Sequence, residues 1–320
     1  MTRLYDGAKG PQTEGVTLAL VNPAAAAGRA GALWQRLEPV LRTSFPGLAV
    51  RLTGAAGDAE RLATAWGREH PAGVLLVVGG DGTLHEAVNG LVTSLSRTAL
   101  GVLPAGSGND FARNLGLPLN PFEAAHRLQL GPVRQVDLGQ LSFQARGEPR
   151  RRIFLNSISL GASVRANRLA RRLGLIHSGR LRYTVASLAA VLSGTADSYL
   201  VTSGDRVLHN GPARNLTVAN GACFGGGMRI SPGSRPDDGT LELVILGAMG
   251  RLRALHALAR LQRGTHLALQ SIRRLPVTEI HVAGTEPLHL EADGEELEIS
   301  GGLKIEVLPA RLCVLGGPNP

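Results

Sequence analysis

The chain reads as two domains of different texture, a parallel α/β unit over residues 1–136 and an antiparallel β unit over 137–305. Three observations carry this. Up to about Val136, apolar runs of strand length alternate with amphipathic stretches of helix length, the pattern of a parallel sheet with crossover helices. Beyond it the runs shorten, alternate with period two and are broken by Gly, Asp-Gly or Pro, the pattern of antiparallel hairpins. Glycine clusters in the first half fall where strands end and helices begin, at the carboxyl ends of the strands where ligands of such folds gather.

The elements follow in order. "VTLALVN" (16–22) predicts a buried strand and "AGALWQRLEPVLRT" (30–43) an amphipathic helix. "LAVRLT" (48–53), "GDAERLATAWGREH" (57–70) and "GVLLVV" (73–78) continue as strand, helix, strand. The helix "LHEAVNGLVTSL", the strand "ALGVLP" (99–104) and "NDFARNLGLP" (109–118) complete the α/β half. In the second half, "QVDLGQLSF", "RRIFLNSISLG", "NLTVANG", "GTLELVILG", "EIHVAG", "LHLEADGEELEIS" and "LKIEVLPARLCVLG" read as strands. Two helical insertions, about 164–193 and 250–270, interrupt them. In the second, Leu252, Leu255, Leu258 and Leu261 recur every third residue, predicting an apolar face with arginines on another.

Composition narrows the class. With 320 residues, 43% hydrophobic and 18% charged, the chain is long enough for two buried cores and is not of disordered type. Two cysteines, Cys223 and Cys313, exclude a disulfide framework and a cysteine zinc site. No basic-then-apolar leader opens the sequence and no apolar run reaches the ~20 residues of a membrane span, so the expectation is a cytoplasmic protein.

The charge is concentrated. Ten arginines and one acid lie between Arg146 and Arg182, equal to the whole chain's net +9. Six arginines and no acid lie between Arg251 and Arg274. Such stretches predict an anionic partner: a membrane surface, nucleic acid or a phosphorylated substrate. Nucleic acid fits less well, because no aromatics interleave the arginines.

Several chemistries are excluded. The only lysines are Lys9 and Lys304, so there is no P-loop lysine, and neither GxGxxG, H-E-x-x-H nor Gly-x-Ser-x-Gly occurs. What remains is "GGDGT" (79–83). Gly79, Gly80 and Gly82 lack Cβ atoms and leave room for an anion at a helix start. Thr83-x-x-Glu86 has the form of a capping box. Asp81, which capping leaves unexplained, suits a Mg²⁺ ion beside phosphates. "PAGSGND" (104–110) repeats the arrangement on the next strand, with Ser107 or Asn109 as a phosphate contact or a plain helix cap.

Together, "GGDGTLHEAVNG" and "GVLPAGSGNDFARNLGLP" resemble the catalytic domain of diacylglycerol kinases and of the related sphingosine and ceramide kinases. The resemblance extends over nearly the whole chain, through "VNPAAAAGRAG", "TGAAGDAERLA", "FLNSISLGASV", "VANGACFGGGMRISPGSRPDDGTLELVIL" and "LEADGEEL". It implies a Rossmann-like nucleotide domain shared with NAD kinases, and an antiparallel β-sandwich that binds lipid. A C-terminal strand, about 306–320, would return to the first domain. Asn22 and Thr53 would lie near the phosphates, Gly79, Gly80, Asp81, Gly82, Thr83, Leu84 and His85 would wrap them, and Ser107 would be a further ATP contact. Asp81 would sit in the Mg²⁺ network. Asp238, with backbone oxygens about Arg235 and Thr240, would hold a structural ion, although Asp-Asp-Gly is equally a plain turn. Asp293 and Glu295 would be the acidic pair near the accepting hydroxyl, with Glu295 favoured as base, although Asp293-Gly294 is also a type I′ hairpin signal.

The activity implied is ATP- and Mg²⁺-dependent phosphorylation of diacylglycerol to phosphatidic acid, on an anionic membrane approached through the arginine-rich helices. A sibling acceptor (sphingoid base, ceramide, phosphatidylglycerol), a soluble acceptor as in NAD kinases, and a non-catalytic lipid-binding module are the alternatives. A homodimer is compatible with this reading, and no nucleic-acid partner is expected. The expected location is cytoplasmic with peripheral membrane association.

Overall fold

The computed structural model describes residues 16–94, 97–130, 132–145, 147–172, 185–190, 192, 196–285 and 287–316. The chain divides into two compact units, 1–136 with 310–320 and 137–309.

In the first unit, strands β1 (Thr17–Val21), β2 (Ala49–Leu52), β3 (Val74–Gly79) and β4 (Ala99–Pro104) form a parallel sheet in the order β2-β1-β3-β4. Every residue of β1, β3 and β4 is buried, as their unbroken apolar sequences require. Helices α1 (Arg29–Ser44), α2 (Asp58–Glu69) and α3 (Asp81–Thr93) alternate with them. Trp34, Leu37 and Leu41 of α1 join Val21, Leu76, Val78 and Leu103 in one core, each such side chain contributing about 1.5–3 kcal/mol. Two further helices follow, α4 (Asp110–Asn114) and α5 (Pro121–Leu130). No strong apolar periodicity marks α5 in the sequence, yet its start is signalled. Pro121 takes the first helical position, and the Asn120 side chain accepts the Phe122 N–H at 2.9 Å.

The second unit is antiparallel. Its strands are β5 (Val133–Ala145, entering from the first unit), β6 (Glu148–Phe154), β7 (Ser157–Gly161), β8 (Asp197–Ser203), β9 (Arg206–Ala219), β10 (Cys223–Phe224) and β11 (Met228–Arg229). They continue as β12 (Leu241–Gly247), β13 (Ile272–Val277), β14 (Glu279–Gly284), β15 (Leu288–Ala292) and β16 (Glu295–Leu315). The expected strand "RRIFLNSISLG" is two strands, β6 and β7, parted by a bend at Leu155–Asn156. Two long strands serve several partners. β9 pairs with β8 along its first half and with β7 and β12 along its second. β16 pairs with β15 near its start, with β14 around Leu303–Glu306, and ends beside β4 at Val314. Between them lies a core of Phe154, Ile158, Leu160, Leu216, Val218, Leu243, Ile280, Leu290 and Ile305.

Helix α6 (Ala162–Arg172) begins the first insertion, and the rest of the expected 164–193 helix at 173–184 lies outside the described residues, as do Arg146, Arg180 and Arg182. Helix α7 (Arg251–Arg263) forms the second. Its buried face is Ala254, Ala257 and Leu261, so of the four leucines only Leu261 is buried, while Leu255 and Leu258 are half-buried. A three-residue repeat drifts around a helix of 3.6 residues per turn, and Leu252 is left 83% exposed.

Candidate active site

A cavity of about 440 Å³ sits at the carboxyl ends of the four parallel strands of the first unit. Each strand delivers its own segment: Asn22 and Ala24–Ala26 after β1, Thr53–Ala56 after β2, Gly80, Gly82 and Thr83 after β3, and Gly106 and Ser107 after β4. Because the sheet runs outward from β1 in both directions, this is a topological switch point, where open α/β sheets bind ligands.

The segments hold one another in place. Asn22 donates from Nδ2 to Thr83 Oγ1 at 2.9 Å while its Oδ1 accepts the Ala24 N–H at 3.1 Å. The following turn is strained, with Ala26 at φ 52° and Ala27 at φ 59° in the left-handed region before Gly28. After β2, Asp58 gathers the N–H groups of Gly54 and Ala55 at 2.8 and 3.0 Å and the Arg61 guanidinium at 3.0 Å. These bonds, that from Gly54 foremost, hold its carboxyl below the usual carboxylate range.

The three glycines of "GGDGT" have different physical reasons. A Cβ on Gly79 would lie 2.7 Å from Thr83, inside the helix turn. A Cβ on Gly106 would lie 2.4 Å from the Cα of Gly80, so the two glycine loops pack backbone against backbone. At Gly82 a Cβ would meet nothing within 4 Å. That open position faces the cavity, on the first turn of α3, where no side chain caps the helix. First-turn N–H groups that no side chain caps, the positive end of the helix dipole and free space suit this end to an anion.

The capping box expected at Thr83 and Glu86 does not form. Helix α3 starts earlier, with Gly80 as N-cap, so Thr83 lies inside the first turn. Glu86 reaches across to accept the Ala59 N–H at the start of α2, at 3.1 Å. Asn109 is the residue before α4, but its side chain turns back onto the Gly106 N–H and C=O rather than capping the helix.

Of the residues expected to surround phosphates, Asn22, Thr53, Gly80, Gly82, Thr83 and Ser107 line the cavity. Gly79, Leu84 and His85 are buried away from it, behind the loop. Asp81 is half-buried, and its Oδ1 accepts the Phe111 N–H at 3.1 Å, tying the start of α3 to α4. No group of three or more acidic, histidine or cysteine side chains forms among the described residues.

In the second unit, Asp293 and Gly294 form the two-residue turn between β15 and β16, with φ 48° and 91°, the left-handed pair of a type I′ hairpin. The Asp293 carboxylate accepts three backbone N–H groups, from Leu155 at 2.7 Å, Asn156 at 2.8 Å and Ser157 at 3.2 Å. It therefore clamps the β6–β7 bend. Glu295 is half-exposed, with Arg152 at 3.9 Å. Asn167 and Arg168 of α6 reach Gly294 O and Glu296, fastening the helix to this hairpin. At Asp238, Oδ1 accepts both the Thr240 N–H at 3.0 Å and its hydroxyl at 2.9 Å, and Arg235 pairs with Asp237.

Comparison with known proteins gives consistent matches. Residues 17–141 match the model of the diacylglycerol kinase catalytic domain, and residues 156–316 match that of the YegS C-terminal NAD kinase beta sandwich-like domain. A Chromohalobacter salexigens protein named "Probable lipid kinase YegS-like" is 32% identical over 295 residues, covering 90% of each chain. A diacylglycerol kinase from Bacillus anthracis str. Sterne, known by crystal structure, superimposes with a TM-score of 0.70 at 24% identity over 95% of this chain and 97% of its own. Yeast NADH kinase complexed with NADH shares the fold at a TM-score of 0.50 and 10% identity, covering 95% of this chain and 83% of its own.

Proposed function

This chain belongs to the diacylglycerol kinase and YegS lipid kinase family, and from that premise we propose that it transfers the γ-phosphoryl group of MgATP to the hydroxyl of diacylglycerol, yielding phosphatidic acid. The observation that carries the proposal is the cavity at the switch point, open onto the uncapped amino end of α3 at Gly82. Such an end stabilises a polyanion through backbone donors and needs no lysine, which accounts for a nucleotide site in a chain with two lysines.

In this reading Asn22, Thr53, Gly80, Gly82, Thr83 and Ser107 hold the nucleotide, and Asp81 supports the metal network from behind the loop. Bound Mg²⁺ would supply charge neutralisation at the phosphates. Glu295 is the general base that takes the acceptor hydroxyl's proton. Asp293 is the weaker candidate, because both its oxygens already accept backbone protons. An ion at Asp238 is not needed to explain the turn there, since Thr240 already satisfies Oδ1 twice.

The acceptor is the finer part of the proposal, because the same fold carries kinases of soluble acceptors. Transfer of radiolabel from γ-labelled ATP to a panel of diacylglycerol, sphingoid base, ceramide, phosphatidylglycerol and NAD decides it. Label in phosphatidic acid is expected. Label in a different lipid would replace diacylglycerol as the acceptor, and label in NAD alone would overturn the lipid reading.

A further inference from the structure

Within the two basic stretches the arginines do different work. In α6, Arg165 bonds Asp197 at 2.8 Å and Arg168 bonds Glu296, so these charges serve the fold. In β13, Arg273 donates to Leu208 O, and Arg274 pairs with Glu242 at 2.7 Å. In α7, Arg251, Arg253, Arg260 and Arg263 pair with no acid among the described residues, and no acid occurs anywhere from residue 248 to 278.

Opposite the buried Ala254, Ala257 and Leu261, one line of α7 carries Leu252, His256, Ala259 and Arg263, all exposed. Arg253 and Arg260 flank this line on one side and Arg251 and Gln262 on the other, by the 100° turn per residue of the helix. Leu252 stands at its end, 83% exposed and the most exposed of the chain's large apolar side chains among the described residues. A surface hollow of about 750 Å³ adjoins it, bordered by Leu252, Arg253, His256 and Ala268–Ser271, with no acidic member.

We propose that this face of α7 docks on an anionic lipid bilayer, Leu252 entering the apolar boundary while the four arginines lie against the headgroups. An apolar tip ringed by unpaired cations is what an interfacial helix presents, and each arginine near an anionic surface strengthens binding. A second copy of the chain fits poorly, because a two-fold contact through this face would set arginines against arginines. Nucleic acid fits poorly as well, because the most exposed side chain of the face is a leucine and the face has no Phe, Tyr or Trp for a base to stack on. The proposal rests on the lipid-acceptor reading for its purpose and not for its physics.

The 320-residue chain is sedimented with vesicles of phosphatidylcholine containing phosphatidylglycerol, and with phosphatidylcholine alone. Unmodified protein is expected to bind the anionic vesicles and to be released by raised salt. Arg251→Glu with Arg253→Glu is expected to weaken partitioning by about thirtyfold or more. Leu252→Asp is expected to weaken it by about tenfold or more, with melting temperatures unchanged since all three residues are exposed. Partitioning within twofold of the unmodified protein for both variants would overturn the proposal. So would a dimer that Leu252→Asp dissolves without loss of vesicle binding, or duplex DNA competing the protein off the vesicles. Phosphorylation of dispersed short-chain diacylglycerol should persist in both variants. Its absence from the unmodified protein would count against the kinase reading and leave the vesicle result standing.

Discussion

Gly80 and Gly106 meet backbone to backbone: a Cβ on Gly106 would lie 2.4 Å from the Cα of Gly80. The loops after β3 and β4 thus form one rigid floor, and the glycine of this floor that faces open space is Gly82. Gly106→Ala should force the loops apart and cost about 1–3 kcal/mol. Gly82→Ala, in the first turn of α3, should leave stability equal or raise it by about 0.5–1 kcal/mol through helix propensity. Its methyl should nonetheless weaken ATP binding by about tenfold or more, ~1.4 kcal/mol. Urea titrations and nucleotide titrations of the two variants separate these effects. Unchanged ATP affinity in Gly82→Ala would remove the cavity from the nucleotide reading.

The acidic pair of the 293–296 hairpin divides in the same way. Asp293→Ala leaves three backbone N–H groups of the β6–β7 bend without their acceptor and should cost about 2–3 kcal/mol. Glu295 is half-exposed with Arg152 at 3.9 Å, and a glutamine keeps its shape and an acceptor oxygen there. Glu295→Gln should therefore stay within about 0.5 kcal/mol in stability and keep ATP affinity, while turnover falls by roughly 10²–10⁴. A Glu295→Gln variant that turns over normally would shift the base elsewhere.

These two sites also mark how far the sequence carries. The β3–α3–β4 region is legible because its strands are continuous apolar runs and its glycines punctuate them. The purpose of each glycine is not legible, since Gly106 answers to Gly80 across the sheet rather than to its neighbours. The Asp293 clamp is hidden for the same reason, its partners lying more than a hundred residues away in sequence. Strand β8 and the first half of β9 escaped notice although Gly204 turns between them at φ 53°. Their polar residues interleave because β8 has one buried face, and a long bent strand changes partners partway along. The α7 leucine repeat holds for Leu258 and Leu261, which pack on the core, and fails at Leu252, because a spacing of three drifts around a helix of 3.6 residues per turn.

The turn after β1 holds Ala26 and Ala27 in left-handed conformations that cost a non-glycine residue about 1–2 kcal/mol each. Glycine would relieve that strain but loses about 0.5–1 kcal/mol to the flexibility of the unfolded chain. Ala26→Gly and Ala27→Gly should each raise stability by about 0.5–1 kcal/mol, whereas Ala27→Val should lower it by more than ~1 kcal/mol. Denaturant midpoints at constant slope check the sign, and a destabilising glycine would show that the alanine methyls contribute packing.

His266 provides a test through pH. It is 1% exposed, its Nε2 lies 3.0 Å from Ile230 O, and its Nδ1 has no hydrogen-bond partner among the described residues. Burial therefore holds its pKa below the ordinary 6.5 of a free imidazole. The neutral ring donates from Nε2 to Ile230, and protonating Nδ1 would place an unpaired charge under α7. Below about pH 6.5 the unfolded chain takes up a proton that the folded chain refuses, so stability falls as pH drops from about 7 to 5. Above that window the contribution is constant. His266→Gln can still donate to Ile230 and does not titrate. It should flatten this part of the stability curve relative to the unmodified protein, with little change near neutral pH. Melting temperatures across the window measure it, and an equal slope in the two proteins would mean that other groups set the acid response.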